Sequence, residues 1–177
     1  MANSPLNDLI NKFGTDVVEK AMQNLGAYRT VKGKKRRAVA SDNLRKSLAF
    51  YYNAKRSKLE FFAKGKASNY ADVVEQGRRP NSKQPPVEAI IQWMKIKPIK
   101  VRALDGKIVK QTPSKIRSTA FNIARAIGRR GIPPLFYWRD AVDEMIDIYE
   151  PQFAEALANE LGILIEDQTQ RIIKIKV

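Results

Sequence analysis

The 177 residues predict an α+β fold, a small antiparallel sheet carrying helices, on three observations. Apolar residues recur at helical spacing in several stretches, most with proline near the start or glycine near the end. One segment, LAFYYNAKRSKLEFFAK, instead sets two aromatic-rich runs around a polar turn from Asn53 to Ser57, the signature of a β-hairpin. The last residues, RIIKIKV, alternate apolar and polar and predict a terminal strand.

Taken in order, Ser4 can cap a first helix with Pro5 in its first turn, and Leu6, Leu9, Ile10, Phe13, Val17 and Leu25 give it an apolar face. Ser41-Asp42-Asn43 is a capping cluster before the short turn LRKSL, which leads into the hairpin. SNYADVVEQG predicts a helix from Ser68 or Asn69 that stops at Gly77, and RRPNSKQPP is a proline-punctuated loop. Pro86 starts PVEAIIQWMKI, a helix expected to turn Ile90, Trp93 and Met94 to the core. IKVRALDGKIVK is a hairpin candidate around Asp105-Gly106. A helix from about Ser114 puts Ile116, Ala120, Ile123, Ala124 and Ile127 on one stripe and ends at Gly128 or Gly131. A long acidic helix follows, from about Leu135 to Leu161, with a kink expected at Pro151. This organisation is one domain, 1–177, with a helical segment 1–27, an inserted helix and hairpin 80–113, and a strand arm 162–177.

Cysteine and histidine are both absent, which removes thiolate catalysis, Ser/His and Cys/His pairs and the common metal ligands. No apolar run approaches the roughly 20 residues of a membrane span, and the start MANSPLNDLINKF lacks the basic flank and apolar block of a secretory signal. No catalytic, cofactor-binding or metal-binding residue is therefore assigned, and the chain is expected to be soluble and to stay where it is made.

The net charge is +15, and its distribution is more informative than its size. From Tyr28 to Lys66 there are 13 Lys/Arg against 2 Asp/Glu, whereas from Arg139 to Asp167 there is 1 against 9. An acidic arm repels phosphate, so a dedicated DNA binder gains nothing from it, but a chain that docks on copies of itself can use both signs. Lys32, Lys34, Lys35, Arg36 and Arg37 are five cations in six residues; they read as phosphate contacts or as a solvated loop. As a loop, this run is expected to order against the acidic helix of a neighbouring copy, or, second, against DNA. Gly33-Lys34 lacks the upstream glycine and following Ser/Thr of a phosphate-binding loop.

Tyr51, Tyr52, Phe61 and Phe62 could stack single-stranded nucleic acid, although aromatics at strand spacing more commonly form core. Asp140, Asp143, Glu144 and Asp147 share one helical face; they could hold Mg²⁺ as in a nuclease, but without a catalytic partner motif a solvated or interface face is the simpler reading. GRRP at Gly77–Pro80 and GRRGIPP at Gly128–Pro134 each join a helix stop to paired arginines and proline, and are expected to be exposed joints with Arg78, Arg79, Arg129 and Arg130 at an interface.

SDNLRKSL before a hairpin, then YADVVEQGRRP, then AFNIARAIGRRGIPPLFYWRDAV occur in an order that resembles the neck or tail-completion proteins of long-tailed double-stranded DNA phages, the family related to the minor tail protein Z of lambdoid phages. Asn43-Leu44-Arg45 and Ser47, then Tyr70-Ala71, Val74-Glu75 and Gly77, then Ile132-Pro133 and Phe136 occupy the family's motif positions, and the resemblance covers about Ser41 to Val142. Ser41-Asp42 stands where Thr-Gly is common, and PLFYW replaces a PFF-type sequence. The resemblance implies a structural, non-enzymatic subunit, made in the host cytoplasm and built into the virion. It implies a homo-oligomeric ring of six or twelve copies, in contact with head-connector and tail-tube proteins, through which DNA passes. The alternative from another class is a nonspecific DNA-binding protein using the basic run and the two arginine pairs.

Overall fold

The computed structural model describes residues 4–31, 34–37, 42–97, 99–101 and 107–175. In chain order they form α1 (Pro5–Gly26), β1 (Tyr28–Val31), β2 (Lys34–Arg37), α2 (Asn43–Ser47), β3 (Leu48–Asn53), β4 (Lys58–Ala63), α3 (Ser68–Gln76), α4 (Val87–Ile96), α5 (Pro113–Arg130) and α6 (Tyr137–Ile175). The fold is α+β, with two separate two-stranded sheets, β1-β2 and β3-β4. The chain divides into two compact units, one of Met1–Asn24, Leu48–Phe62 and Trp138–Val177, the other of Leu25–Ser47 and Ala63–Tyr137.

The first unit is built on α1, α6 and the β3-β4 hairpin. Ser4 caps α1 by accepting at Oγ from the Asn7 amide at 3.3 Å. Phe13, Val17 and Ala21 are buried on α1, as are Ala141 and Tyr149 on α6. The Phe13 ring meets Tyr149 and Phe153 edge to face, at 5.4 Å and 5.5 Å between centroids. Lys20 pairs with Glu144 and the Tyr149 hydroxyl donates to Asp16, so α1 and α6 run antiparallel. Gly14 lets the hairpin approach: a Cβ there would lie 2.6 Å from the Phe50 ring. The hairpin turn closes through Asn53, whose Oδ1 accepts from the Arg56 amide at 3.2 Å, and Ser57 at φ 46°. So short a connection makes β3 and β4 antiparallel.

The second unit has its core between α4 and α5. Ile90, Met94, Val101, Ala120 and Ala124 are buried there, with Ile116, Ile123 and Ile127 packed against them, so the whole predicted α5 stripe faces the core. Ala120, Ala124 and Gly128 are the buried small residues of that face. Thr112 caps α5, accepting at Oγ1 from the Lys115 amide at 3.4 Å.

Three sequence expectations change, and one of two alternatives is selected. Residues 162–175, expected to end in a strand, continue α6 to Ile175; extending an existing helix adds one hydrogen bond per residue without a new nucleus, and an isolated strand adds none. Trp93 is 36% exposed rather than core, because Ile90 and Met94 already fill the α4 contact. Gly128 lies inside α5, which ends at Gly131. The basic run is not a loop throughout: Lys34–Arg37 is a strand paired antiparallel with Tyr28–Val31, Tyr28 opposite Arg37 and Val31 opposite Lys34. Lys32 and Gly33, and the turn expected at Asp105-Gly106, lie outside the described residues. The arms of that second hairpin candidate are joined by the Val109 amide donating to the Val101 carbonyl at 3.0 Å.

Candidate functional site

The two arginine–glycine motifs, which the sequence presents as separate joints, meet in the second unit. The Arg78 amide donates to the Ile132 carbonyl at 2.8 Å and the Ile132 amide returns a bond to the Arg78 carbonyl at 2.9 Å, an antiparallel bridge. Gly77 and Gly131 flank it with φ of 74° and 68° and ψ of −164° and −170°, a region open essentially to glycine alone. A Cβ on Gly77 would lie 2.4 Å from the Ile132 carbonyl oxygen, and one on Gly131 would lie 2.1 Å from that of Arg78. Each glycine therefore makes room for the other's strand.

The bridge also seals two helix ends, and it does so reciprocally. Amides of the loop after α3 cap α5: Ser82 donates to the Gly128 carbonyl at 3.0 Å and Asn81 to that of Arg129 at 3.3 Å. Amides after α5 cap α3: Leu135 donates to the Val74 carbonyl at 3.1 Å, and Phe136, at φ 51°, to that of Glu75 at 3.0 Å. Carbonyls at a helix C-terminus lack intrahelical partners, so these bonds satisfy groups that would otherwise need water.

The four arginines then separate by role. Arg78 is half-buried and structural, its Nε donating to Ser82 Oγ at 3.1 Å and its Nη2 to the Lys83 carbonyl. Arg79, Arg129 and Arg130 are exposed. Arg129 and Arg130 also sit in the last turn of α5, where positive charge complements the helix dipole. Three of the four are thus exposed, and Arg78 is not.

A second basic feature was not singled out from the sequence. Lys46, Lys64 and Lys66 surround a shallow depression of about 420 Å³ with Asn43, Ser47 and Tyr70 on its walls. The Lys64 amide donates to the Ser47 carbonyl at 2.8 Å, tying the segment before the hairpin to the segment after it. Desolvation raises the Tyr70 hydroxyl pKa above its ordinary value. The available signal was the basic residues on both flanks of the hairpin, which only closing the hairpin brings together.

The acidic face of α6 is not gathered for metal binding: among the described residues no three carboxylates are placed to hold an ion. Glu144 pairs with Lys20 of the same chain, and Arg139 Nη2 lies 3.2 Å from Asp140 Oδ1. Asp143 and Asp147 are exposed. The hairpin aromatics divide by strand alternation. Phe61 packs on Phe13, Phe50 and Trp138, and the Tyr52 hydroxyl donates to Asn7 Oδ1 at 2.9 Å, whereas Tyr51 and Phe62 are 55% and 40% exposed. Two of the four are therefore packed or hydrogen-bonded within the unit and two are exposed.

No helix among the described residues is long and apolar enough to cross a membrane. Compared with known protein families, curated proteins and solved structures, the chain matches none.

Proposed function

We propose that this chain is a structural subunit of the head–tail connection of a long-tailed double-stranded DNA phage, a neck or tail-completion protein that assembles into a ring around the DNA path. The observation that carries this reading is that the motif segments are one structural element. Ser47 bonds to Lys64 across the hairpin, Glu75 accepts from Phe136, and Gly77 lies against Ile132, so residues far apart in sequence depend on each other's positions.

The charge asymmetry supports assembly, since a ring requires each copy to present two different surfaces to its neighbours. Within this reading the protein belongs to the virion and assembles in the host cytoplasm, with head-connector and tail-tube proteins as its neighbours. Arg79, Arg129 and Arg130 are the exposed cations on the interlocked element that would face a partner. Light scattering on the purified chain, together with electron microscopy of virions carrying a labelled subunit, tests the reading. Closed rings and label at the neck are expected; a chain of one-copy mass that is absent from particles would overturn it.

The lysine-lined depression favours a second reading, nonspecific DNA binding, because phosphate contacts need clustered cations and no base-reading motif. Affinity for duplex DNA that falls steeply with salt, in a chain that does not self-associate, would select it.

A further inference from the structure

The β1-β2 ribbon concentrates cations, and its register fixes on which face each of them stands. Five of its eight residues are Lys or Arg and none is acidic. Residues directly opposite in an antiparallel pair share a face, and so do alternate residues along one strand. The ladder pairs Arg29 with Arg36 and Val31 with Lys34, which puts three cations on one face. It pairs Thr30 with Lys35 and Tyr28 with Arg37, which puts the other two on the opposite face. Like charges directly opposite destabilise a ladder, and no carboxylate between Tyr28 and Ser41 offsets the pairing of Arg29 with Arg36. Neither strand pairs with a further strand, and Tyr28 at the base of the ribbon is 72% exposed. The ribbon therefore calls for anions from outside the chain, and for anions on both faces.

That requirement separates two partners. The acidic face of α6 in a second copy presents its carboxylates on one side of a helix, and two of the four are engaged, Glu144 with Lys20 and Asp140 with Arg139. Such a helix neutralises one face of the ribbon and leaves the other uncompensated. A groove of duplex DNA carries phosphate on both walls. A β layer is about 10 Å thick, and the major groove is about 12 Å wide against about 6 Å for the minor groove. A ribbon standing edge-on in the major groove thus turns one face to each wall.

A second observation in the same unit points to the same ligand. Lys46, Lys64 and Lys66 line the depression of about 420 Å³, no acidic residue shares its walls, and none of the three ammonium groups is paired with a carboxylate among the described residues. The apolar cleft of about 530 Å³ between α4 and α5 has isoleucine and methionine walls, whereas the lysine depression has no apolar side chain larger than alanine apart from the Tyr70 ring. Arg37 and Asn43 are six residues apart, so at most about 21 Å separates the end of the ribbon from the near wall of the depression. One turn of duplex is about 34 Å long, so a single short site spans both.

We infer that the β1-β2 ribbon enters the major groove of duplex DNA, with Lys46, Lys64 and Lys66 seated on phosphates beside it. The inference deepens the DNA-binding reading, on which it rests, by naming the element and the groove. The contacts are to phosphate, so binding is independent of sequence.

Fluorescence anisotropy of the full chain on a labelled mixed-sequence duplex of about 30 base pairs tests it over a range of salt concentrations. Eight phosphate contacts predict that the logarithm of the affinity falls with the logarithm of salt at a slope of about −7. Changing Arg29, Lys34, Lys35, Arg36 and Arg37 together to Gln should reduce that slope to about −3, and changing Lys46, Lys64 and Lys66 to Gln should reduce it to about −4.5. Circular dichroism checks the fold of both variants; neutralising the ribbon removes repulsion, so its thermal midpoint should not fall. Methyl green, which occupies the major groove, should displace the chain, and netropsin, which occupies the minor groove, should not. A folded ribbon variant that keeps the parent's slope, beside a triple-lysine variant that no longer binds, would overturn the inference and leave the DNA-binding reading standing. Displacement by netropsin alone would overturn the choice of groove and with it the argument from ribbon thickness. A parent chain that does not bind duplex at low salt would refute the inference and the DNA-binding reading together. If light scattering then showed an oligomer that the ribbon variant cannot form, the ribbon's partner would be the acidic helix of a second copy.

Discussion

Replacing Gly131 by alanine tests whether the bridge between the two arginine motifs holds the second unit together. The substitution puts an L side chain at φ 68°, ψ −170°, a strain of about 1–3 kcal/mol. It also places a methyl group 2.1 Å from the Arg78 carbonyl oxygen, a backbone atom that cannot swing aside as a flexible side chain can. The two bridge hydrogen bonds must then open, at about 1 kcal/mol each. The combined loss of about 3–5 kcal/mol is a large share of the roughly 5–15 kcal/mol by which domains are stable. Urea unfolding followed by circular dichroism measures it, with Gly162→Ala as the control. Gly162 lies within α6, nothing stands within 4 Å of its added Cβ, and alanine there should stabilise by about 0.5–1 kcal/mol. A Gly131→Ala loss below about 1 kcal/mol would refute the reasoning, because it would mean that the bridge gives way without consequence.

Tyr149 donates to Asp16 inside the first unit, and burial first, then that bond and the carboxylate charge, push its pKa from 10 up to about 12. A raised folded-state pKa means its stabilisation is fully present below pH 10 and is lost as pH rises from 10 through 12; Tyr149→Phe should flatten that alkaline fall in stability, read by unfolding at stepped pH. Gly14→Ala drives a Cβ to 2.6 Å from the Phe50 ring and should cost about 1–3 kcal/mol by overpacking, measured as a lowered unfolding midpoint. Changing Arg79, Arg129 and Arg130 together to Gln should leave stability within about 1–2 kcal/mol of the parent, with the loss of helix-dipole pairing as its main cause, while reducing incorporation into particles; normal incorporation would remove these arginines from the interface.

The elements that sequence reasoning placed well are those whose cause is local. Ser4 and Pro86 sit where caps and first turns require them, Gly77 stops α3, and the α5 stripe from Ile116 to Ile127 follows directly from the helical period. The β1-β2 ladder was not legible, because KKRR has little strand propensity and reads as solvated charge; what holds a ladder is main-chain pairing, to which side-chain patterns are a poor guide. Gly128 and Gly131 both looked like helix stops. Only the backbone separates them, Gly131 by its positive φ and Gly128 by Ser82 and Gln84 lying against it. The site was half legible: both arginine motifs stood out, but nothing in either announced that Arg78 pairs with Ile132, since contacts between distant segments leave no local periodicity. The lysine depression was hidden for the same reason.

The bridge between Arg78 and Ile132 makes everything between them a closed excursion from the rest of the chain. Residues 79–131 leave and return at adjacent points, carrying α4, α5 and their own apolar core. Because the entropy of closing a loop grows only with the logarithm of its length, the remainder of the molecule is nearly indifferent to how long this excursion is. It behaves as a cassette: a shorter or longer version fits the same doorway, provided that both glycines remain at the threshold. The cleft between α4 and α5 lies wholly inside the cassette, so what this part of the surface recognises can be exchanged without redesigning the frame that holds it.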